Sequence, residues 1–402
     1  MSSARVNHRR PGCVSRSVLS RSVLAAAVAL VAALACACAS SAGAKPPAQV
    51  VSGSSSSGGF RGDQLSRPVT LSARDRADTF RSSAGGATTL ARLQHDQLML
   101  LYFGYTHCPD VCPTTMADLG QAIAKLPSIV QAHVQVVFVT ADPARDTPAV
   151  MKSWLSHFDS GLVRPFVGLT SSVTQIDSVS KSVGVPLEPP VTEPNGSISV
   201  THGAQTLAFV NGRADVLWSA GTSVGDYTHD INLLVDKVGS EPGASARRTA
   251  PASGAPSAPG AATARIGELT ISGGYIPQPA SPDVAAAYFT VANAGATPDT
   301  LAKVTTNVAT TVKAMSETDH GATGSMTGLG RVTVPAHGSF RFTQGHAHLM
   351  LENPTRTLRQ GDRVVMTITF ARAGSVTLTL PVVGLTGPAT AMPSMDTMPS
   401  GG

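Results

Sequence analysis

The sequence predicts two folded modules, an α/β module followed by an all-β module, and three observations support this fold class. Strand and helix signals alternate over residues 60–239, whereas residues 263–385 carry strand signals without helical periodicity. The intervening residues 240–262 contain four Pro and no aromatic residue, which is typical of a linker. A chain of 402 residues, 42% of them apolar, is long enough to form two domains.

The continuous apolar run from Leu98 to Tyr105 and the mostly apolar run from Val134 to Thr140 are typical of buried parallel strands. A helical signal follows each run, and Thr147-Pro148 supplies an N-cap and a first-turn proline for the second helix. The other predicted elements are helices at 113–126, 147–158, 171–183 and 226–238, a strand at 166–169, and a hairpin at 207–218 around Asn211-Gly212. Alternation that ends in a hairpin and a helix predicts a thioredoxin-like fold.

The second module shows the period-two alternation of half-buried strands, most clearly at Thr377-Leu378-Thr379-Leu380. Turn signals such as Gln360-Gly361-Asp362 separate its apolar runs. The predicted strands lie at 288–291, 339–342, 348–351, 363–370 and 376–382. This pattern predicts a β-sandwich.

The N-terminal residues 1–38 are typical of an export signal, because basic residues up to Arg21 precede an apolar run from Val23 to Ala35. The sequence Ala33-Leu34-Ala35-Cys36 resembles a bacterial lipobox, in which Cys36 is lipidated, although Ala33 stands where Leu is usual. Cleavage near Ala39 or Ala44 and an uncleaved anchor are the alternatives. Each of them places the remaining chain outside the cytoplasm, and residues 39–59 are predicted to form a flexible tether.

Charge excludes nucleic acid as a partner. The formal net charge is +5, but five of the 30 basic residues lie within the first 35 positions, where no acidic residue occurs. Without that segment the basic and acidic residues are equal in number. A chain close to neutrality lacks the positive surface that nucleic-acid binding requires.

Of the five cysteines, only Cys108 and Cys112 fall within a predicted module. If a helix begins at this motif, the i,i+4 spacing brings the two Cβ atoms to about 5–6 Å on one face. A helix N-terminus also lowers thiol pKa values, and soft thiolates select Cu(I). The spacing alone leaves a structural disulfide and a metal or redox role equally open.

The neighbouring sequence resembles the SCO/SenC family of copper proteins in the segments 101–113 (LYFGYTHCPDVCP) and 139–148 (VTADPARDTP). The resemblance covers about residues 60–238 and implies that Cys108, Cys112 and a distant histidine bind copper. Val200-Thr201-His202-Gly203 matches the segment of that histidine, which makes His202 the third ligand. The family often has Asp where this chain has Thr201, so the partner that orients the imidazole is expected to differ.

Three further polar residues of the first module lie in or near the segments that carry the resemblance. His107, next to the first cysteine, is expected to pack or to form local hydrogen bonds. Asp142 and Asp146 match an acidic motif of the same family. For these two carboxylates the sequence leaves loop capping and metal contact open.

The second module contains the pattern Met-x10-Met-x21-His-x-Met, formed by Met315, Met326, His348 and Met350. Three neutral thioethers and one imidazole form a soft site that favours Cu(I) over Zn(II) or Cu(II). On a strand His348 and Met350 share one face, so that Leu349 faces the core. The alternative interpretation is a set of core methionines with a surface histidine.

This pattern and the flanking sequences HLML (348–351), LRQGD (358–362) and TITF (367–370) resemble the periplasmic copper chaperone family PCu(A)C. The resemblance covers about residues 264–383 and implies a cupredoxin-like β-sandwich with these four ligands. His320 and His346 are interpreted as solvated. Residues 386–402 are predicted to form a flexible tail whose Met392, Met395 and Met398 either collect Cu(I) or are a chance enrichment.

Together the two resemblances imply an extracytoplasmic metallochaperone that delivers Cu(I) to the CuA centre, the CuB centre or both centres of a cytochrome c oxidase. The expected partners are the copper-binding oxidase subunit, other copper carriers, and the membrane through a lipid or N-terminal anchor. Two alternatives remain. In the first, Cys108 and Cys112 form a thiol–disulfide oxidoreductase pair that reduces the oxidase cysteines. In the second, the protein serves copper storage or resistance.

Overall fold

A computed structural model describes residues 50–51, 59–95, 97–192, 198–238, 262–319, 324–385 and 387. The predicted export signal with Cys36, the linker residues 240–261 and the methionines Met392, Met395 and Met398 lie outside the described residues, as does His320. Within the described part of the chain, no helix is long and apolar enough to cross a membrane.

The first module contains eleven described strands and seven helices. In chain order these are β1 (Val50–Val51), β2 (Asp63–Thr70), α1 (Ala73–Ala77), β3 (Thr79–Ser82), β4 (Ala87–Thr89), α2 (Leu90–Gln94), β5 (Leu98–Gly104), α3 (Val111–Ala124), α4 (Ser128–Gln131), β6 (Val134–Thr140), α5 (Pro148–Leu155), β7 (Val167–Thr170), α6 (Val173–Ser182), β8 (Val191–Thr192), β9 (Ile198–Ser199), β10 (Thr206–Val210), β11 (Arg213–Trp218) and α7 (Val224–Val235).

The sheet of this module has the strand order β1-β2-β11-β10-β5-β6-β7-β3-β4. Strands β5, β6 and β7 are parallel, and the β10–β11 hairpin adds antiparallel to β5. Successive residues of β5 alternate between two cores, one under α3, α5 and α7 and the other under α2 and α6. Burial on both faces explains the continuous apolar run, and the predicted thioredoxin-like α/β fold is confirmed.

Local signals determine several element ends. The Thr147 side chain accepts a hydrogen bond from the backbone N–H of Val150 at the start of α5, as predicted. The helix α6 is capped by Ser172, one residue later than the prediction. In the β10–β11 hairpin Asn211 and Gly212 have φ angles of 51° and 81°, the left-handed conformation that a type I′ turn requires.

Within the described residues of the second module, the regular secondary structure consists of strands alone. They are β12 (Ala262–Ile266), β13 (Leu269–Pro277), β14 (Val284–Asn293), β15 (Asp299–Thr306), β16 (Ala309–Asp319), β17 (Gly324–Gly328), β18 (Val332–Val334), β19 (Ser339–Phe342), β20 (Ala347–Pro354), β21 (Arg363–Phe370) and β22 (Gly374–Val383).

These strands pair in the order β17-β16-β20-β14-β13-β22-β21-β15-β18, with β12 on β13 and β19 on β14. The strand β14 changes partner along its length, from β20 at residues 284–287 to β19 at residues 289–292. A single apolar core lies against the sheet, with Phe289, Leu349 and Met366 among its buried side chains. The predicted all-β fold of the second module is confirmed.

The described residues of the two modules fall within one compact unit. The helix α3 packs against α7, and Asp118 lies on α3. Burial raises the pKa of Asp118 to about 6. Because this value is above the pKa of an unfolded aspartate, about 3.9, the folded state favours the protonated carboxyl group.

We therefore expect Asp118→Asn to stabilise the protein at pH 7 by about 1–2 kcal/mol, after allowance for partial exposure. The stability that comes from a neutral Asp118 is complete below about pH 4 and is lost as the pH rises through about 6. The variant should consequently differ little from the parent chain at pH 4. Denaturant unfolding at both pH values measures this, and an equal gain at both would contradict it.

Candidate metal centres

The first candidate site surrounds the start of α3. This helix begins at Val111 with Asp110 at the N-cap position, so Cys112 lies in its first turn and Cys108 precedes it. The prediction that both cysteines lie on one helical face is therefore wrong. A turn in which the Cys108 N–H donates to the carbonyl of Tyr105 at 3.2 Å instead directs the first thiol toward the second.

His202 reaches the two cysteines from the loop before β10, where it forms an isolated β-bridge with Leu187. Its Nε2 atom lies 3.6 Å from the Cys112 Sγ atom. The candidate ligand atoms of Cys108, Cys112 and His202 all lie within 4.8 Å of one another, and all three residues are buried. Both cysteines are free thiols. The structure thus brings together three residues that are up to 94 positions apart in the chain.

The backbone orients the His202 imidazole. Its Nδ1 atom lies 3.2 Å from the carbonyl oxygen of Gly203, and an N–H at Nδ1 leaves the Nε2 lone pair directed toward the sulfur atoms. The partner that orients the imidazole is therefore a main-chain carbonyl, which agrees with the expectation that it differs from the aspartate common in the SCO/SenC family. The rings of Tyr102 and Tyr105 pack edge-on against the imidazole at 6.3 and 5.5 Å.

The two thiols differ in acidity. Burial alone would raise the pKa of Cys108, but interactions with Cys112 and His202 outweigh it and hold that pKa well below its usual range. Burial and the neighbouring Cys108 raise the pKa of Cys112 well above its usual range, although the Tyr102 hydroxyl group donates to its sulfur at 3.6 Å. The lowered pKa predicted for both thiols is thus wrong for Cys112. The two thiols therefore titrate as a coupled pair, in which the first proton is lost more readily than the second.

Two aspartates near this site, Asp146 and Asp142, stabilise loops. The Asp146 carboxylate accepts hydrogen bonds from the Thr106 backbone N–H at 3.0 Å, the Thr106 hydroxyl at 2.6 Å and the Thr140 hydroxyl at 2.7 Å. Asp142 pairs with Arg145. These contacts favour loop capping over metal contact for both aspartates.

His107 forms the expected local contact, in which its Nδ1 lies 3.1 Å from the Thr106 hydroxyl oxygen. Its Nε2, however, lies 2.9 Å from a carboxylate oxygen of Asp283 in the second module. Sequence reasoning did not predict this contact, because the two residues are 176 positions apart.

The second candidate site lies on three neighbouring strands. Met315 on β16 pairs directly with His348 on β20, and Met350 pairs with Lys313 two residues further along. The backbone of Met326 pairs with Glu317 on the other side of β16. The sequence analysis predicted β20 but missed β16 and β17, although the β-branched run Thr310-Thr311-Val312 is a strand signal.

Leu349 is buried in the core of the second module, as predicted, so His348 belongs to the opposite face of β20. His348 is nevertheless fully buried, because the first module covers this face. Within the described part of the chain neither ring nitrogen of His348 has a hydrogen-bond partner of good geometry. A buried ring nitrogen without a hydrogen-bond partner, as Nε2 of His348 is among the described residues, is rare in proteins, and its lone pair suits a metal ligand. His346 is exposed, as expected.

Two residues that sequence reasoning missed lie between the candidate sites. Asp110 is buried, and one of its carboxylate oxygens lies 3.1 Å from the Nδ1 atom of His348. The hydroxyl group of Tyr288 donates to the same carboxylate at 2.8 Å. Burial and the negative charge of Asp110 raise the pKa of Tyr288 well above its usual range. The sequence signal that could have identified Asp110 was its position between the two cysteines of the motif.

Comparison with known proteins confirms the resemblance for each module. Residues 79–234 match the SCO1/SenC family model, and residues 269–382 match the LpqE-like model, whose description names a lipoprotein. A relative in Stutzerimonas stutzeri, named for copper binding, is 43% identical over 111 residues, which are 28% of this chain and 52% of the relative. Mitochondrial SCO2 of Saccharomyces cerevisiae is 38% identical over 104 residues, which are 26% of this chain and 33% of the relative. The chain therefore spans about half the length, or less, of these relatives.

Solved structures resemble each module separately. Apo Sco1 of Thermus thermophilus is 30% identical, with a TM-score of 0.37, and the match covers 44% of this chain and 97% of that one. The copper-bound PCuAC domain of PmoF2 is 22% identical, with a TM-score of 0.26, and the match covers 30% of this chain and 97% of that domain. This chain thus joins a segment that matches the SCO1/SenC family to a segment that matches the LpqE-like family.

Proposed function

We propose that this protein is an extracytoplasmic copper metallochaperone that binds Cu(I) in each module and delivers it for assembly of the CuA or CuB centre of cytochrome c oxidase. The convergence of Cys108, Cys112 and His202 in a buried cluster carries this proposal. Two sulfur atoms and one imidazole form a soft donor set that suits Cu(I). The copper-binding relative and the SCO family match support the choice of metal.

The acidity of the two thiols bears on copper exchange at the first site. A cysteine binds copper as thiolate, so the metal must displace any thiol proton. Cys108, whose pKa is lowered, needs little proton release, whereas Cys112 must lose its proton when copper binds. Copper release therefore becomes easier when Cys112 regains a proton, so protonation of this thiol is a route by which the site releases its metal ion.

The second site would hold copper through Met315, Met326, His348 and Met350. Thioethers carry no proton and form no disulfide, so this site suits Cu(I) without competing thiol chemistry. The buried Nε2 atom of His348, which has no hydrogen-bond partner among the described residues, supports this assignment. Residues 240–262 would link the two sites at a high effective concentration.

The proposed partners are the copper-binding subunit of the oxidase and other copper carriers. We place the protein at the outer face of the membrane, held by a lipid on Cys36 or by an N-terminal anchor. The description of the LpqE-like family as lipoproteins supports this location. The three tail methionines would serve storage or resistance if they collect Cu(I).

A second candidate function is reduction of the disulfide between the copper-ligating cysteines of the oxidase subunit. The lowered pKa of Cys108 favours it. The Cys108 thiolate would attack the target disulfide and form a mixed disulfide, with one target cysteine released as a thiol. Cys112, after loss of its proton, would then attack Cys108, releasing the second target cysteine and leaving a Cys108–Cys112 disulfide. Two electrons thus pass to the target.

Anaerobic titration of the full chain with Cu(I) against a competing chelator should give two tightly bound ions per chain. His202→Ala and Met315→Leu should each reduce this number to one, because each removes a ligand from a different site. The exposed His95→Ala in the first module is the matched control and should leave it at two. One ion in the parent chain would contradict separate sites.

Oxidase activity in cells that depend on this protein should separate delivery from reduction. We expect His202→Ala to lower the Cu(I) affinity of the first site at least tenfold, which corresponds to about 1.4 kcal/mol, and oxidase activity to fall with it. A dithiol reductase has no need of this imidazole. If both Cu(I) affinity and oxidase activity survive in His202→Ala, the first module acts as a reductase and not as a copper carrier.

A further inference from the structure

The carboxylate of Asp110 belongs to the first module but is held by the second. It accepts hydrogen bonds from the Tyr288 hydroxyl at 2.8 Å and from the Gly345 backbone N–H at 3.1 Å. It also lies 3.1 Å from the Nδ1 atom of His348. Asp110 stands at the N-cap position of α3, yet its side chain makes no capping hydrogen bond to that helix. Its carboxylate is therefore directed across the module boundary.

The contacts around Asp110 come from one short segment of the first module. His107 contacts Asp283 at 2.9 Å, and the Ser281 hydroxyl group donates to the carbonyl oxygen of Thr106. The Gln344 amide donates to the Thr114 hydroxyl at 3.4 Å. The first-module partners in these contacts lie within residues 106–114, the segment that contains both cysteines. The interface is thus centred on the first candidate site.

The same interface closes the second candidate site. His348 points away from the core of its own module, and its complete burial depends on the first module. Tyr288, which lies beside the imidazole with ring centroids 6.5 Å apart, is also fully buried. In this arrangement a copper donor or acceptor protein has no access to His348. Exchange of copper with another protein at this residue requires the modules to separate.

We propose that Asp110 is a latch that docks the first module on the ligand-bearing face of the second and closes His348 to external copper donors and acceptors. The docked arrangement is the closed state, and an open state, reached when Asp110 leaves Tyr288 and Gly345, allows exchange. The docking is a property of the copper-free chain, whereas its effect on copper exchange rests on the proposed function of the second site.

Hydrogen bonds to a buried carboxylate are among the stronger ones in proteins, and a carboxylate that leaves its partners must be solvated again. Conversion of Asp110 to the neutral, nearly isosteric Asn should therefore shift the equilibrium toward the open state by on the order of tenfold. Tyr288→Phe removes one donor from the opposite module and should shift it in the same direction. Copper biases this equilibrium only so far as it binds the two states with different affinity.

The test compares Asp110→Asn and Tyr288→Phe with the parent chain and with Asp215→Asn, an exposed aspartate on β11 that serves as the control. Small-angle X-ray scattering of each copper-free full chain measures the radius of gyration. The rate at which bicinchoninate removes Cu(I) is then measured in a His202→Ala background, in which the second site alone is expected to hold copper. Far-UV circular dichroism checks the fold of each variant.

We expect a larger radius of gyration and about tenfold faster Cu(I) removal in Asp110→Asn, a smaller change in the same direction in Tyr288→Phe, and no change in Asp215→Asn. An unchanged radius and rate in both interface variants would overturn the latch. If the His202→Ala chain retains no Cu(I), the proposed second copper site fails instead. The scattering data on the copper-free variants still decide the docking in that case.

Discussion

A buried carboxylate needs hydrogen-bond donors, and Asp110 finds them across a module boundary. This requirement explains why the described residues of both modules form one compact unit although a long segment of low complexity separates them in sequence. The loop that carries Asp110 is itself fixed from behind, because Asp146 accepts three hydrogen bonds from Thr106 and Thr140. Because this loop is held in place, it positions the Asp110 carboxylate against the second module and Cys108 in the first candidate site.

The two candidate sites differ in the chemistry that they allow. The first combines Cys108 and Cys112, which differ in acidity, with His202, whose Nδ1 faces a backbone carbonyl. As proposed, it would hold copper or exchange electrons, and protonation of Cys112 would weaken copper binding. The second, as proposed, relies on thioethers and on an imidazole that is buried between the modules. Its control is therefore expected to be steric, through access to His348, and not through protonation of sulfur.

Much of the fold was predictable because local signals and packing agree. The buried strand β5 is a continuous apolar run, and β6 is apolar except at Gln135 and Thr140. The β10–β11 turn carries Asn-Gly, for which a left-handed backbone is favourable. The strands β16 and β17 were missed because their alternation is weak, with Thr, Ser and Gly at many positions. The convergence of Cys108, Cys112 and His202 was expected from resemblance to a family, since spacing alone left a disulfide equally open.

The contact of Asp110 with His348 was beyond prediction from one sequence, because it depends on how two modules dock and on a helix start that differs from the expected one. Its consequence follows from its position. Asp110 lies between the two cysteines in sequence and against His348 in space, so any rearrangement of the docked interface affects the surroundings of both sites at once. A closed state with the sites on opposite sides of one carboxylate favours exchange of copper within the chain. An open state favours exchange with other proteins, because only then is His348 accessible to them. The division between these two kinds of exchange would therefore be set by the stability of one buried carboxylate contact.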